Sequence, residues 1–236
     1  MMRNKNSYCK PEGNNFRRWD LIDYTISKWN ENGDDSYWGQ GYLFLYKDVY
    51  IKTHKETIIK HAREAKIPSW LLADVAWQEA GGKPDDLKPQ VLLFRQLIDS
   101  FRKNNDYSNK VSIGIVAIQI RVVAEILGIA PEKITSRQQL QISRCLQTDD
   151  FNLKMVSLHL RDLIKYDYPD IDTEKLTDEN IILVGARYNR GIQRTKGDFV
   201  RAISLPEGNA DRDYISYGLA IIKRRARVKN LMDIHE

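Results

Sequence analysis

The sequence predicts a mainly α-helical chain with at most a small β element. Three observations lead there. Apolar residues recur at three- and four-residue steps along most of the chain. Favoured helix openers and stoppers bracket those stretches, such as Pro68-Ser69 before one and Gly81-Gly82 or Gly128 after others. Only one segment, YLFLYKDVYI at 42–51, has strand-like composition, and no internal repeat is visible.

The elements follow in order. Residues 1–14 are polar, carry Pro11 and Gly13, and read as a loose tail. Phe16, Trp19, Ile22, Ile26 and Trp29 then lie on one face of an amphipathic helix. NENGDDSYWGQG is a turn-rich loop, and 42–51 reads as a short strand, with a helix start as the alternative. From Thr53 to Ala65 the helical period returns, with Ile58, Ile59, Ala62 and Ala65 inward. Pro68 and Ser69 open the helix WLLADVAWQEA, which stops at Gly81-Gly82. Further helices are expected at 90–103, over IQIRVVAEILG, and at 136–147, 150–166, 178–190, 197–204 and 211–228. Segments 104–113 and 166–177 read as connections. The organisation expected is a tail (1–14), an N-terminal helical extension (15–65) and a main domain (66–236).

Composition narrows the function classes. Hydrophobic residues make up 42% and charged residues 29% of 236, the chemistry of a globular chain rather than a disordered one. Thirty-seven Lys and Arg against 32 Asp and Glu give +5, which favours an anionic partner: nucleic acid, anionic lipid or peptidoglycan. Twelve Tyr and five Trp could line a sugar groove, although packing is the commoner use of each. The four histidines are scattered, with no HExxH and no Cys/His cluster, so no metal and no cofactor is expected. Cys9 and Cys145 allow one bridge without forming a disulfide framework. No stretch approaches the ~18 apolar residues of a membrane span. The N-terminus has positive charge but no apolar region behind it, so no conventional signal peptide is expected.

Glu79 is the informative carboxylate. Leu72, Val75, Ala76 and Glu79 share one helix face, so the acid stands in line with apolar residues at the last turn. Partial burial and the negative end of the helix dipole both disfavour its charged form. A general acid working near neutral pH requires that bias. The alternative is a solvated Glu at a frayed helix end. The Gly pair that follows would let a bulky polymer approach the backbone.

At this point the residues resemble a known family. IPSWLLADVAWQEAGGKP (67–84) looks like the active-site helix of lytic transglycosylases and goose-type lysozymes, which ends in a catalytic Glu. SIGIVAIQI (112–120) resembles their Ser-x-Gly…Gln-Ile segment. NLKMVSLHLRDLIKYD (152–167) looks like their Asn-led helix, and ARYNRG (186–191) resembles their Ala-x-Tyr-Asn-x-Gly motif. The likeness covers about 66–196. It departs from the family in two places: Ala80 stands where Ser usually follows the Glu, and Gly114 to Gln119 is longer than the usual Gly-x-x-Gln.

The resemblance implies a lysozyme-like domain that cleaves the MurNAc-GlcNAc bond of peptidoglycan with one Glu as acid and base. The muramic 6-hydroxyl can attack the anomeric carbon in a transglycosylase; a goose-type hydrolase needs an acid to position water. Asp85, Asp86 and Asp106 are candidates for that task, with solvated loop positions the commoner reading. Tyr188 is implied to face the Glu, against a core Tyr. Asn189 is read as holding loop geometry, with Gly191 supplying a turn. Gln119 suits an acetamido group, against a helix-start polar residue, and Ser112 is a polar lining residue or an N-terminal cap.

Two other classes compete. The basic segment Lys223, Arg224, Arg225, Arg227, Lys229 could neutralise phosphates. No nucleic-acid-binding signature accompanies it, a basic run is more often a solvated face, and nucleic acid is not the expected partner. A lysozyme-fold protein that only binds glycan is the other, favoured by the missing Ser. A wall-degrading domain without a signal peptide resembles antibacterial effectors injected by a type VI secretion system, or phage lysis and tail enzymes. The expected site of action is then the periplasm or cell wall of a target bacterium, with a periplasmic immunity protein plugging the groove.

Overall fold

The structure, a computed structural model, describes residues 8–9, 16–29, 40–82 and 84–234. Among these are eleven α-helices: α1 (Leu21–Trp29), α2 (Gln40–Thr53), α3 (Lys55–Ala65), α4 (Ser69–Glu79), α5 (Lys88–Arg102), α6 (Ile120–Ile126), α7 (Ser136–Leu146), α8 (Asp149–Asp167), α9 (Asp178–Arg190), α10 (Lys196–Ser204) and α11 (Ser216–Leu231). The one sheet among the described residues is a hairpin of β1 (Ser112–Ile113) and β2 (Ile118–Gln119). The expectation of a mainly α chain with a minor β element holds. The chain forms two compact units, residues 1–53 with 79–156, and residues 54–78 with 157–236.

In the first unit, two expectations are corrected. Phe16 and Trp19 precede α1 rather than lying in it, and Ile22 is 68% exposed while Trp19 is fully buried. The helix starts later because Asp20 and Asp23 cap it. Asp20 Oδ1 accepts from the N–H groups of Ile22 and Asp23, and Asp23 Oδ2 accepts from the N–H of Asp20. The second correction is 42–51, which is helix α2 and not a strand. Its buried residues are Tyr46, Lys47, Tyr50 and Ile51, a spacing only a helix puts on one face. Burial against aromatic neighbours outweighs strand propensity here. Phe16 meets the rings of Tyr46 and Tyr50, Trp19 meets Tyr42 and Tyr46, and the Tyr46 hydroxyl donates to the Arg17 carbonyl.

Residues 16–53 are thus built into the unit that carries the turn after Glu79. Arg18 pairs with Asp149 at 2.9 Å and also donates to the Gln147 carbonyl. Tyr8 and Cys9 are the described residues of the expected tail; the rest of it, with His235 and most of the 30–41 loop, lies outside the described residues. Cys9 is joined to Cys145 on α7 by a disulfide spanning 136 positions. A loop that long is worth about 4–5 kcal/mol in the chain-entropy account.

The second unit packs α9 against α11. Gly185 and Gly218 make that crossing close, since a Cβ on Gly218 would overlap the backbone of Ile182. Around it lie Leu183, Ala186, Phe199, Ala202 and Ile215, all nearly fully buried. Arg187 forms a two-pronged ion pair with Asp167 at 2.8 and 2.9 Å, both side chains nearly covered. Of the residues expected inward on α3, Ile58, Ala62 and Ala65 are buried and Ile59 half-buried; His61 joins them.

Candidate functional site

Glu79 is the last residue of α4 and is half-buried. Leu72, Val75 and Ala76 are buried, and the burial extends beyond that face: Leu71 through Trp77 are all buried, so this stretch is enclosed on every side. A helix with no polar face belongs inside. Gly81 follows at φ +70°, the left-handed conformation that ends the helix. It is buried, and a Cβ there would overlap Leu43 and come 3.4 Å from Tyr46. Gly81 therefore serves the chain's own packing, and only exposed Gly82 fits the expected open approach to backbone.

The hairpin pairs Ser112 with Gln119 and Ile113 with Ile118 in antiparallel register. Two of the expected site residues are so brought side by side, both half-buried. Ser112 is a strand residue, which excludes its reading as a helix cap. Gln119 occupies the N-cap position of α6 but does not cap it; its Oε1 accepts from Arg121 Nε at 2.6 Å. The amide nitrogen is left to donate elsewhere, since it makes no hydrogen bond among the described residues.

The longer Gly114–Gln119 interval is accommodated by the hairpin turn. Gly114 sits at φ +92°, and a Cβ would overlap the Asn152 amide. Asn152, fully buried, accepts from the Val116 N–H at 3.0 Å and donates to the Val116 carbonyl at 2.9 Å. Both hydrogen-bonding ends of one side chain thus hold the turn. Sequence reasoning saw the Asn that heads its helix segment but assigned it no task. Lys88 was missed altogether. Its Nζ donates to Asp85 Oδ1 and to the Gly114 carbonyl, each at 2.6 Å, tying the start of α5 to the same turn. The only advance sign was the three-residue step from Asp85 to Lys88. Burial pushes the Asp85 carboxyl up from its ordinary value, against the pull of Lys88. Asp106 is exposed and accepts from Asn104, as a loop aspartate would; the Asp86 side chain lies outside the described residues.

In the second unit, Tyr188 is half-buried on α9, its ring 5.7 Å from that of His159 and 6.0 Å from that of Tyr217. Burial pushes His159 down to about 4, so it is neutral near neutral pH, with Asp162 opposing the shift. Asn189 is exposed within α9 and makes no hydrogen bond to the following turn among the described residues. That removes the loop-holding task expected of it. Gly191, at φ +81°, does end the helix, its N–H donating to the Arg187 carbonyl at 2.7 Å.

The basic segment of α11 is neither a bare solvated face nor a free phosphate-binding row. Arg224 pairs with buried Asp74 at 2.8 Å and stacks on Trp77, with Arg227 beside the same ring. Arg225 pairs with Asp178 at 2.6 Å and stacks on Trp70, with Lys229 nearby. Among the described residues no cluster of His, Cys, Asp and Glu could hold a metal ion, and no helix is long and apolar enough to cross a membrane. Comparison with models of protein families, with curated proteins and with solved structures gives no match to this chain.

Proposed function

We propose that the chain is a peptidoglycan glycosidase of lysozyme-like fold, a lytic transglycosylase or muramidase, with Glu79 as its acid and base. The supporting observation is the hairpin. The segment that resembles Ser-x-Gly…Gln-Ile folds as one turn, with Ser112 opposite Gln119 and Gly114 held by Asn152 from the Asn-led helix. Two stretches picked out separately in the sequence thus meet as one construction. Glu79 belongs to the same compact unit. It ends a helix whose preceding residues, Leu71–Trp77, are all buried.

In this reading Glu79 protonates the leaving oxygen, and Gln119 and Ser112 offer polar groups to the acetamido sugar. The resemblance implies sugar-binding roles for Tyr188 and Asn189 as well. Most glycosidases use two carboxylates; one suffices when the muramic 6-hydroxyl is the nucleophile, and the product is then a 1,6-anhydro sugar. Asp85, kept uncharged more readily by its burial, is the candidate second acid if water attacks instead. The disulfide suits an oxidising compartment such as the periplasm, where an injected antibacterial effector would act and an immunity protein would meet it. A protein that binds glycan without cleaving it is the second reading, favoured by Ala80, which stands where the family usually has Ser.

Digestion of purified sacculi tests this. Glu79→Gln should keep the fold by circular dichroism and lose about 10²–10⁴ of the activity, because an amide cannot donate the proton. Full activity in that variant would remove Glu79 from the role. An inactive parent chain that still sediments with sacculi would select the binding reading. Mass spectrometry of the products then separates anhydro ends from reducing ends.

A further inference from the structure

The outer face of α5 is apolar and open. Leu87, Val91, Leu93, Phe94, Leu97 and Phe101 are 42–81% exposed, with Phe94 at 63% and Phe101 at 81%. Only Leu92 and Asp99 of this helix are buried. Six large apolar side chains exposed along one short stretch make a contiguous surface of the kind that marks an interaction site. Its internal order says for what.

Leu87, Val91, Phe94, half-buried Ile98 and Phe101 are spaced four, three, four and three residues apart. That is the spacing of a short, two-heptad coiled-coil seam, with Leu87 (in the turn just before α5), Phe94 and Phe101 at one core position and β-branched Val91 and Ile98 at the other. β-branched residues at the latter position favour two parallel strands. The edges agree. Lys88, Arg95 and Arg102 line one edge of the seam; Gln90 and Leu97 line the other. In an antiparallel pair the cationic edge would face its own copy. In a parallel pair it faces Gln90 and Leu97.

These cations are also engaged within the chain. Lys88 holds Asp85 and the Gly114 carbonyl, Arg95 donates to the Tyr107 carbonyl, and Arg102 donates to the Tyr107 hydroxyl with its guanidinium over that ring. They are turned to internal partners rather than raised towards lipid headgroups. From these observations we infer that α5 docks in parallel against α5 of a second copy of this chain, burying Phe94 and Phe101 at the centre of a symmetric dimer. The inference stands apart from the enzymatic reading.

Sedimentation velocity of the full chain over a wide concentration range is the test. The parent should show a concentration-dependent dimer, and the double variant Phe94→Glu with Phe101→Glu should be monomeric with an unchanged circular dichroism spectrum. Phe101→Cys should cross-link to itself under mild oxidation, because only the parallel arrangement brings the two copies of position 101 together. A parent that stays monomeric at every concentration overturns the proposal, and flotation with phosphatidylglycerol vesicles would then assign the face to lipid. A dimer indifferent to the glutamates overturns it as well. A dimer whose Phe101→Cys form fails to cross-link overturns the parallel arrangement.

Discussion

Helices α4 and α5 both carry large apolar side chains and are opposite in circumstance. Each has two aromatic residues, and they carry two and three Leu respectively. In α4 seven consecutive residues, Leu71 to Trp77, are buried, and even Asp74 is taken inside with Arg224 as its counter-ion. In α5 two residues are buried, and the apolar remainder faces outward. Asp99, its buried acid, is satisfied locally by the N–H groups of Tyr107 and Ser108 and by the Ser108 hydroxyl, at 2.6–3.1 Å. The contrast teaches that apolar content does not tell whether a helix is enclosed by its own chain. It tells only that something must enclose it. For α4 that is the chain itself; for α5 the enclosing surface has to come from another molecule.

The comparison can be broken or sharpened by substitution, with unfolding followed in urea at protein concentrations low enough to keep copies apart. The largest effect is expected from Arg224→Ala, which removes the Arg224 ion pair from fully buried Asp74. The loss should be about 4 kcal/mol, in the range for breaking a buried pair. A loss below about 1 kcal/mol, the value of a surface pair, would show that α4 is less enclosed than described. Leu72→Ala should cost about 3 kcal/mol through lost transfer energy and the cavity left behind. Phe94→Ala on α5, a larger truncation, should change monomer stability by no more than about 0.5 kcal/mol. If Phe94→Ala cost as much as Leu72→Ala, the outer face of α5 would be covered within the chain and the dimer inference would lose its basis.

Much of the candidate site was legible because it depends on local chemistry. Glu79 stands out as an acid ending an apolar run, and Gly81 and Gly191 mark helix ends because their positive φ suits a residue without Cβ. The partners that fix the site were not legible. Asn152 clamps a turn 36 positions away, and Lys88 reaches the Gly114 carbonyl across 26. Neither spacing leaves a periodic trace. Asn189 was misread because a polar residue near a glycine looks like a loop holder until the helix is seen to continue through it.

What the sequence determined by itself is what nearest neighbours along the chain can enforce. Helix starts written as Thr135 with Gln138, Thr177 with Asn180 and Thr195 with Asp198 fold as reciprocal caps, because both partners lie within one turn. Tertiary structure alone decided the rest. It made 42–51 a helix, because the aromatic neighbours of Tyr46 and Tyr50 reward a four-residue spacing more than strand propensity opposes it. It joined Cys9 to Cys145, set Ser112 opposite Gln119, and enclosed α4 while leaving α5 open. Each of those outcomes depends on surfaces brought together from distant positions, and the free energy of burying them exists only once the chain has folded.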